Sequence, residues 1–345
     1  PGQLELLLVA RNGQAPDRGM AFDEVRVRRE TPASPPSATL GTAPDVGVAQ
    51  TGAEVYQFTI IYDDALGVNT ASLDDSDIVV SGPLGVLSAT FEGFTTGPGN
   101  QIVATYAIVP PGGRWNLGDN GSYVIELQEN QVSNGSSLFA AAGSLGDFMV
   151  DLPQSTIASV QIDDGSAQRS MIRSLNVTLN GNFAGGLASI PSAAFQLLRV
   201  GGGPVGQVAV EVAGVAFNAV TGTSQVTLSF LDSGSLATVA GPLRSLADGR
   251  YELRMIGTLI LDAAGDAVDA DGSGSPGGTR VDQFHRFFGD LDGDGDVDAA
   301  DYANARPFLL GGPSFYNPLL DANGTGAHDA FDLNTFLANF RRRRL

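Results

Sequence analysis

Residues Val55–Tyr62 read VYQFTIIY, with Tyr56, Phe58, Ile60 and Tyr62 on alternate positions. A period of two with large apolar side chains on one face is the signature of a half-buried strand. Downstream, Asp77–Ser81, Val86–Phe91, Gln101–Val109 and Ser122–Gln128 continue the pattern, separated by the turn-forming runs SGP, TGPGN and PPGG. From Pro153 onward the plan recurs: Leu175, Val177 and Leu179 alternate in one segment, Val226, Leu228 and Phe230 in another, and Tyr251, Leu253 and Met255 in a third. With 45 glycines in 345 residues and no sustained helical period, the sequence predicts a mainly β protein, long enough for several domains, with helix confined to the C-terminus.

Two of these strands open alike. Asp119-Asn-Gly-Ser-Tyr123 leads into a strand with Tyr123, Ile125 and Leu127 on one face, and Asp248-Gly-Arg-Tyr251 leads into the strand of Tyr251, Leu253 and Met255. Each motif resembles the tyrosine corner of an immunoglobulin-like sandwich, and each falls late in a unit of similar length. Two tandem immunoglobulin-like β-sandwiches are therefore expected, at residues 39–152 and 153–283, similar to those of bacterial cell-surface and secreted proteins.

Ahead of them, Leu4–Val9 and Phe22–Arg28 are strand-like, and two strands do not make a domain. Residues 1–30 read as the tail of a truncated upstream β domain, since FDEVRV is similar to the last strand of some jelly-roll carbohydrate-binding modules. TPASPPSA, residues 31–38, reads as a linker. On this reading the chain is a fragment of something longer.

The formal net charge of −19 argues against phosphate-backbone binding, so nucleic acid is not an expected partner. Absence of cysteine removes disulfides, zinc–thiolate sites and thiol nucleophiles. The longest apolar run, near Leu4–Ala10, is far short of the roughly 20 residues of a membrane-spanning helix.

Aspartates cluster in two stretches offset by 31 residues: DLDGDGDVDAAD, Asp290–Asp301, and DANGTGAHDAFD, Asp321–Asp332. Both follow the register of a twelve-residue calcium loop. In the first, positions 1, 3 and 5 are Asp290, Asp292 and Asp294, Gly295 turns the chain at 6, Asp296 offers its carbonyl at 7, and Asp298 and Asp301 stand at 9 and 12. In the second the corresponding residues are Asp321, Asn323, Thr325, Gly326, Ala327, Asp329 and Asp332. Calcium takes six to eight hard oxygen ligands, and alternate residues of a tightly curled loop point theirs inward. Two Ca2+ sites are expected, the second, with fewer charges, the weaker. Short helices are expected after the loops, at Tyr302–Arg306 before Pro307 and at Leu333–Phe340.

A duplicated loop–helix ending in Asp at position 12 resembles the dockerin module, so residues 284–345 are expected to form a small α-helical dockerin-like domain. That resemblance implies calcium-dependent docking to a cohesin. Dockerin recognition residues commonly form a polar pair at positions 10 and 11, whereas this chain has Ala299 and Ala300, then Ala330 and Phe331. The implied partner is thus a cohesin-like or other surface protein domain.

Other features read as structural. Asp262, Asp266, Asp269 and Asp271 lie in a Gly-rich stretch and have two readings, turn residues or the ligands of a further cation, the first the commoner; Asp63, Asp64, Asp74, Asp75 and Asp77 read as solvated turn residues. The GGGPVG run, Gly201–Gly206, lacks the Lys-Ser/Thr of a phosphate loop and reads as a hairpin turn. His285 and His328, the two histidines, stand in no metal or triad spacing, and Arg341–Arg344 reads as a solvated helix end. No nucleophile elbow occurs and nothing singles out a carboxylate pair for glycoside hydrolysis. The expectation is a non-catalytic, secreted or cell-surface bacterial protein whose sandwiches present a calcium-dependent docking module. Two alternatives remain: the end of a polysaccharide-degrading hydrolase whose catalytic domain lies upstream, bringing polysaccharide as a partner, or a calcium-stiffened structural surface protein without a partner.

Overall fold

The computed structural model describes residues 4–9, 24–29, 33–99, 101–231, 244–310 and 315–340. The chain divides into two compact units, one of Pro1–Pro44, Val55–Val109 and Ser122–Phe148, the other of Asp45–Glu54, Pro110–Gly121 and Met149–Leu345. Strands β1 (Leu4–Val9) and β2 (Glu24–Arg29) pair antiparallel as a sheet of their own. Arg341–Arg344 lies outside the described residues.

The first unit carries β3 (Ser37–Leu40), β4 (Tyr56–Asp63), β5 (Ile78–Gly82), β6 (Gly85–Ser88), β7 (Thr90–Thr96), β8 (Ile102–Ile108), β9 (Gly121–Leu127) and β10 (Gly143–Val150), the last two running past its bounds by one and two residues. They form two four-stranded antiparallel sheets, β3-β4-β8-β7 and β10-β9-β5-β6. Alternation on β4 does what the sequence predicts: Tyr56, Phe58, Ile60 and Tyr62 are all buried. Tyr56 stacks at 4.1 Å on Phe148 of the other sheet, and Tyr123 stacks on the same ring at 5.2 Å. The expected single strand over Val86–Phe91 is instead two, β6 and β7, in different sheets; the chain crosses between sheets at the buried Ala89. Strand β3 begins inside the Pro/Ser-rich stretch, Ser37 pairing with Asp63.

In the second unit, β11 (Thr156–Ile162), β12 (Ser174–Asn180), β13 (Phe195–Gly201), β14 (Gly206–Val208), β15 (Val210–Asn218), β16 (Thr223–Phe230), β17 (Gly249–Ile256) and β18 (Thr279–Arg286) form the sheets β11-β12-β16-β15 and β14-β13-β17-β18. Counted from its own first strand, each set of eight has the order 1-2-6-5 in one sheet and 8-7-3-4 in the other. This is the strand order of the immunoglobulin sandwich with one added edge strand, and it occurs twice. One core joins the two sheets of the second set, with Leu175, Val177, Leu179, Val226 and Leu228 meeting Leu197, Tyr251, Leu253 and Met255. The Tyr251 hydroxyl donates to the Ala247 carbonyl at 2.6 Å, closing a tyrosine corner. The GGGPVG run is the hairpin between β13 and β14.

The C-terminal segment belongs to the same compact unit and is helical. Helix α1 spans Ala299–Leu310 and α2 spans Ala330–Asn339, each starting inside its aspartate loop and so earlier than the sequence predicts. Pro307 does not stop α1. A proline removes one hydrogen bond, here the one Ala303's carbonyl would accept, and α1 keeps its last turn because Phe308 and Leu309 pack on a core beneath it. That core holds Val297, Ala305 and Phe336 together with Phe287, Phe288 and Met171, the last from the segment between β11 and β12.

Candidate metal centre

The two aspartate loops are built alike at the 31-residue offset, except that Oδ1 of the first aspartate takes its backbone N–H from position 4 in one loop and from position 5 in the other. Position 1 is fully buried in both, Asp290 and Asp321. Asp290 accepts the N–H groups of Gly293 (2.6 Å) and Gly295 (3.1 Å); Asp321 accepts those of Thr325 (3.1 Å) and Gly326 (2.8 Å). Such bonds curl the loop about its first carboxylate. The curl needs left-handed backbone at position 6, and glycine supplies it with φ of 96° at Gly295 and 80° at Gly326.

Position 12 closes each loop. Asp301 accepts the N–H of Leu291 at 2.7 Å and of Asp298 at 2.9 Å, and Asp332 accepts those of Ala322 at 2.7 Å and Asp329 at 2.8 Å. Position 9 caps the following helix: Asp298 accepts from Ala300 and Asp329 from Phe331, both at 2.7 Å. One residue thus serves loop and helix, a capping box with Asp at N-cap and N3. Burial pushes the carboxyls of Asp301 and Asp332 above the ordinary range, against the pull of these N–H donors. Asp329, fully exposed, is held below it by the Phe331 N–H and then by Asn323.

The exposed Asp292 and Asp294 stand close to Asp290: a ligand oxygen from each of the three lies within 4.8 Å of the others. Asp296, Asp298 and Asp301 form a second such group. In the second loop Asn323 donates to Asp329 at 3.2 Å, and the Thr325 hydroxyl donates to the Ala327 carbonyl at 3.1 Å. All twelve sequence-predicted positions therefore fall within two curled loops. The donor set is all oxygen, as a hard cation requires, and the packed carboxylates of the first loop repel one another without a counter-charge.

Sequence reasoning missed how firmly the sandwich holds this segment. Arg169 donates its N–H to the Asp290 carbonyl at 2.8 Å and accepts that of Phe287 at 2.9 Å. The Ser170 hydroxyl donates to Leu319 and accepts from Gly289. Asp248, in the corner motif ahead of β17, accepts Arg286 (2.5 Å), the Phe288 N–H (2.7 Å) and the Asn339 amide (3.0 Å). His285 is also more than a strand residue: its Nε2 lies 2.8 Å from Asp290. His328, at position 8, contacts the carbonyls of Phe308 and Asn317.

Two readings of aspartates as solvated turn residues are corrected: Asp64 and Asp77 are buried. Asp64 accepts from Asn134 and the Leu66 N–H, and Asp77 from the Tyr106 hydroxyl. Asp262 and Asp269 accept local backbone N–H groups, as turn residues do, and both are buried.

No helix among the described residues is long and apolar enough to cross a membrane. No family model matches the chain, and no curated protein matches it. A solved structure of FdeC, an Escherichia coli adhesin, is similar over 74% of this chain and 71% of that one, at 11% identity and a TM-score of 0.25. Superposition at that level supports no transfer of fold or function.

Proposed function

We propose that the C-terminal segment binds two calcium ions, and that the protein is a non-catalytic, secreted or cell-surface protein in which an immunoglobulin-like sandwich carries a dockerin-like calcium module. The observation that supports this is the duplication at the 31-residue offset of the hydrogen bonds that curl and close each loop. Asp290, Asp292, Asp294, Asp298 and Asp301 with the Asp296 carbonyl would hold the first ion. Asp321, Asn323, Thr325, Asp329 and Asp332 with the Ala327 carbonyl would hold the second. The ion supplies positive charge that cancels the repulsion of the aspartates. Calorimetric titration of calcium into chelator-stripped protein tests the reading: two sites in the parent and none in an Asp290→Ala, Asp321→Ala double variant support it, and absence of binding heat in the parent overturns it.

Two observations bear on what the module does. Phe331 and Leu337 of α2 are 56% and 50% exposed, apolar surface of the kind a protein partner covers. The bonds from Arg169, Ser170 and Asp248 favour a second role, in which calcium stiffens the module against its sandwich. Calcium-dependent capture of a cohesin-like domain by the parent, lost in Phe331→Asp, Leu337→Asp, supports docking. Equal protection of Met171 and Phe288 amides from hydrogen exchange with calcium and with chelator counts against stiffening.

A further inference from the structure

The duplication extends five residues upstream of the calcium pattern. His285 and Tyr316 each stand five positions ahead of the first aspartate of a loop, and each reaches the same atom of it. His285 Nε2 lies 2.8 Å from Asp290 Oδ2, and the Tyr316 hydroxyl donates to Asp321 Oδ2 at 2.8 Å. In both loops Oδ2 also accepts the position-6 N–H, from Gly295 or Gly326, while Oδ1 takes one backbone N–H, from Gly293 or Thr325. A carboxylate that ligates calcium only accepts hydrogen bonds, so in the calcium-bound loop the imidazole would be the donor through Nε2. The residue types differ and the bond is the same.

We infer that His285 and Tyr316 are positioning residues for the two calcium loops: each clamps Oδ2 of the position-1 aspartate from outside, fixing the rotamer of the first ligand and leaving Oδ1 the oxygen with acceptor capacity to spare. The inference rests on the calcium reading above. Each carboxylate already takes one backbone N–H of its own loop on each oxygen; the clamp adds a second bond to Oδ2 from a side chain outside the loop, so that the rotamer no longer depends on the loop's backbone alone. Outer partners of this kind typically change metal affinity 10- to 100-fold.

The clamps differ in where they are anchored. His285 lies in β18, paired with Arg250 across the ladder to β17, so the sandwich sheet sets its place. Tyr316 belongs to the segment between α1 and α2, and its ring lies 5.3 Å from that of His328 in the second loop itself. The first loop is therefore aimed by the sandwich and the second by its own module.

The test is calcium titration by calorimetry on the full chain at constant pH. Tyr316→Phe removes only the hydroxyl and keeps the ring. It is expected to weaken one site about 10-fold, leave the other unchanged, and leave the calcium-free melting temperature close to the parent's. Tyr316→His, which restores a donor of the kind the first loop uses, is expected to recover most of that loss. His285→Phe should weaken the other site, and His285→Gln, which keeps an N–H donor, should restore it. If the parent binds two ions and Tyr316→Phe and His285→Phe both leave two sites of unchanged affinity, the positioning role is overturned while the calcium reading stands. If the parent binds none, the calcium reading fails and this inference falls with it.

Discussion

Asp77 carries a testable pH dependence. The residue is fully buried just ahead of β5, where its Oδ2 accepts the Tyr106 hydroxyl at 2.6 Å and the Asp74 N–H at 3.0 Å. Tyr106 in turn lies 3.2 Å from the Tyr62 hydroxyl, and Asp77 Oδ1 has no hydrogen-bond partner among the described residues. Burial pushes the carboxyl up to about 6, against the lowering effect of the Tyr106 and Asp74 bonds. An unfolded aspartate titrates near 4, so between about 4 and about 6 the folded chain holds a proton that the unfolded chain has released. Stability from this group is greatest below about 4 and falls as the pH rises through about 6. A displacement of about two pH units corresponds to about 3 kcal/mol, lost in full at neutral pH. Asp77→Asn keeps the shape and removes the charge. Calorimetric melting of parent and variant in chelator at pH 4 and pH 7.5 gives the difference directly. The variant should gain about 3 kcal/mol on the parent between the two pH values, on the order of 10 °C in the transition of the first unit. A parent-to-variant difference that does not change with pH refutes the argument.

Asp248→Ala removes the acceptor shared by Arg286, Phe288 and Asn339 and leaves the Arg286 side chain, 5% exposed, without its carboxylate. A loss of about 3–5 kcal/mol is expected in the melting of the second unit, with faster amide exchange at Phe288. Gly293→Ala would place a Cβ 1.9 Å from the Ala167 carbonyl oxygen on a backbone with φ of 77°, so the first loop should separate from the sandwich. Calcium titration should then show one site weakened and the other retained. Tyr251→Phe deletes the donor to the Ala247 carbonyl and should lower stability by about 1–2 kcal/mol in urea unfolding, with unchanged circular dichroism.

Strand alternation was legible because burial on a strand follows a period of two, and Tyr56, Phe58, Ile60 and Tyr62 obey it without exception; the Tyr251 corner was legible from its Asp-Gly-Arg-Tyr motif. What alternation cannot tell is which sheet a strand joins. The stretch Val86–Phe91 therefore reads as one strand, although its halves belong to different sheets. The loops were legible because their backbone bonds are local: the aspartate at position 9 caps its own helix and the one at position 12 closes its own loop, all within twelve residues. Asp77 and His285 were not legible for the converse reason. Their environments are set by Tyr106, 29 residues away, and by a ladder to β17, and nothing near them in sequence announces either. His285 did leave one trace, its 31-residue offset from Tyr316, which becomes informative only when unlike residues are compared by the bond they can donate.

The last strand of the sandwich ends at Arg286, and Phe287 and Phe288 already lie in the helical core beside Met171. No spacer separates the two, which governs how the segment can be handled as a reagent. A peptide excised at residue 284 would keep both loops and both helices but lose Met171, the Arg169 and Ser170 contacts and the Asp248 anchor, while baring two phenylalanines. Its ion affinity and solubility would describe the excision. A fragment that begins near residue 153 retains Met171, Arg169, Ser170 and Asp248, and with them the whole of that core.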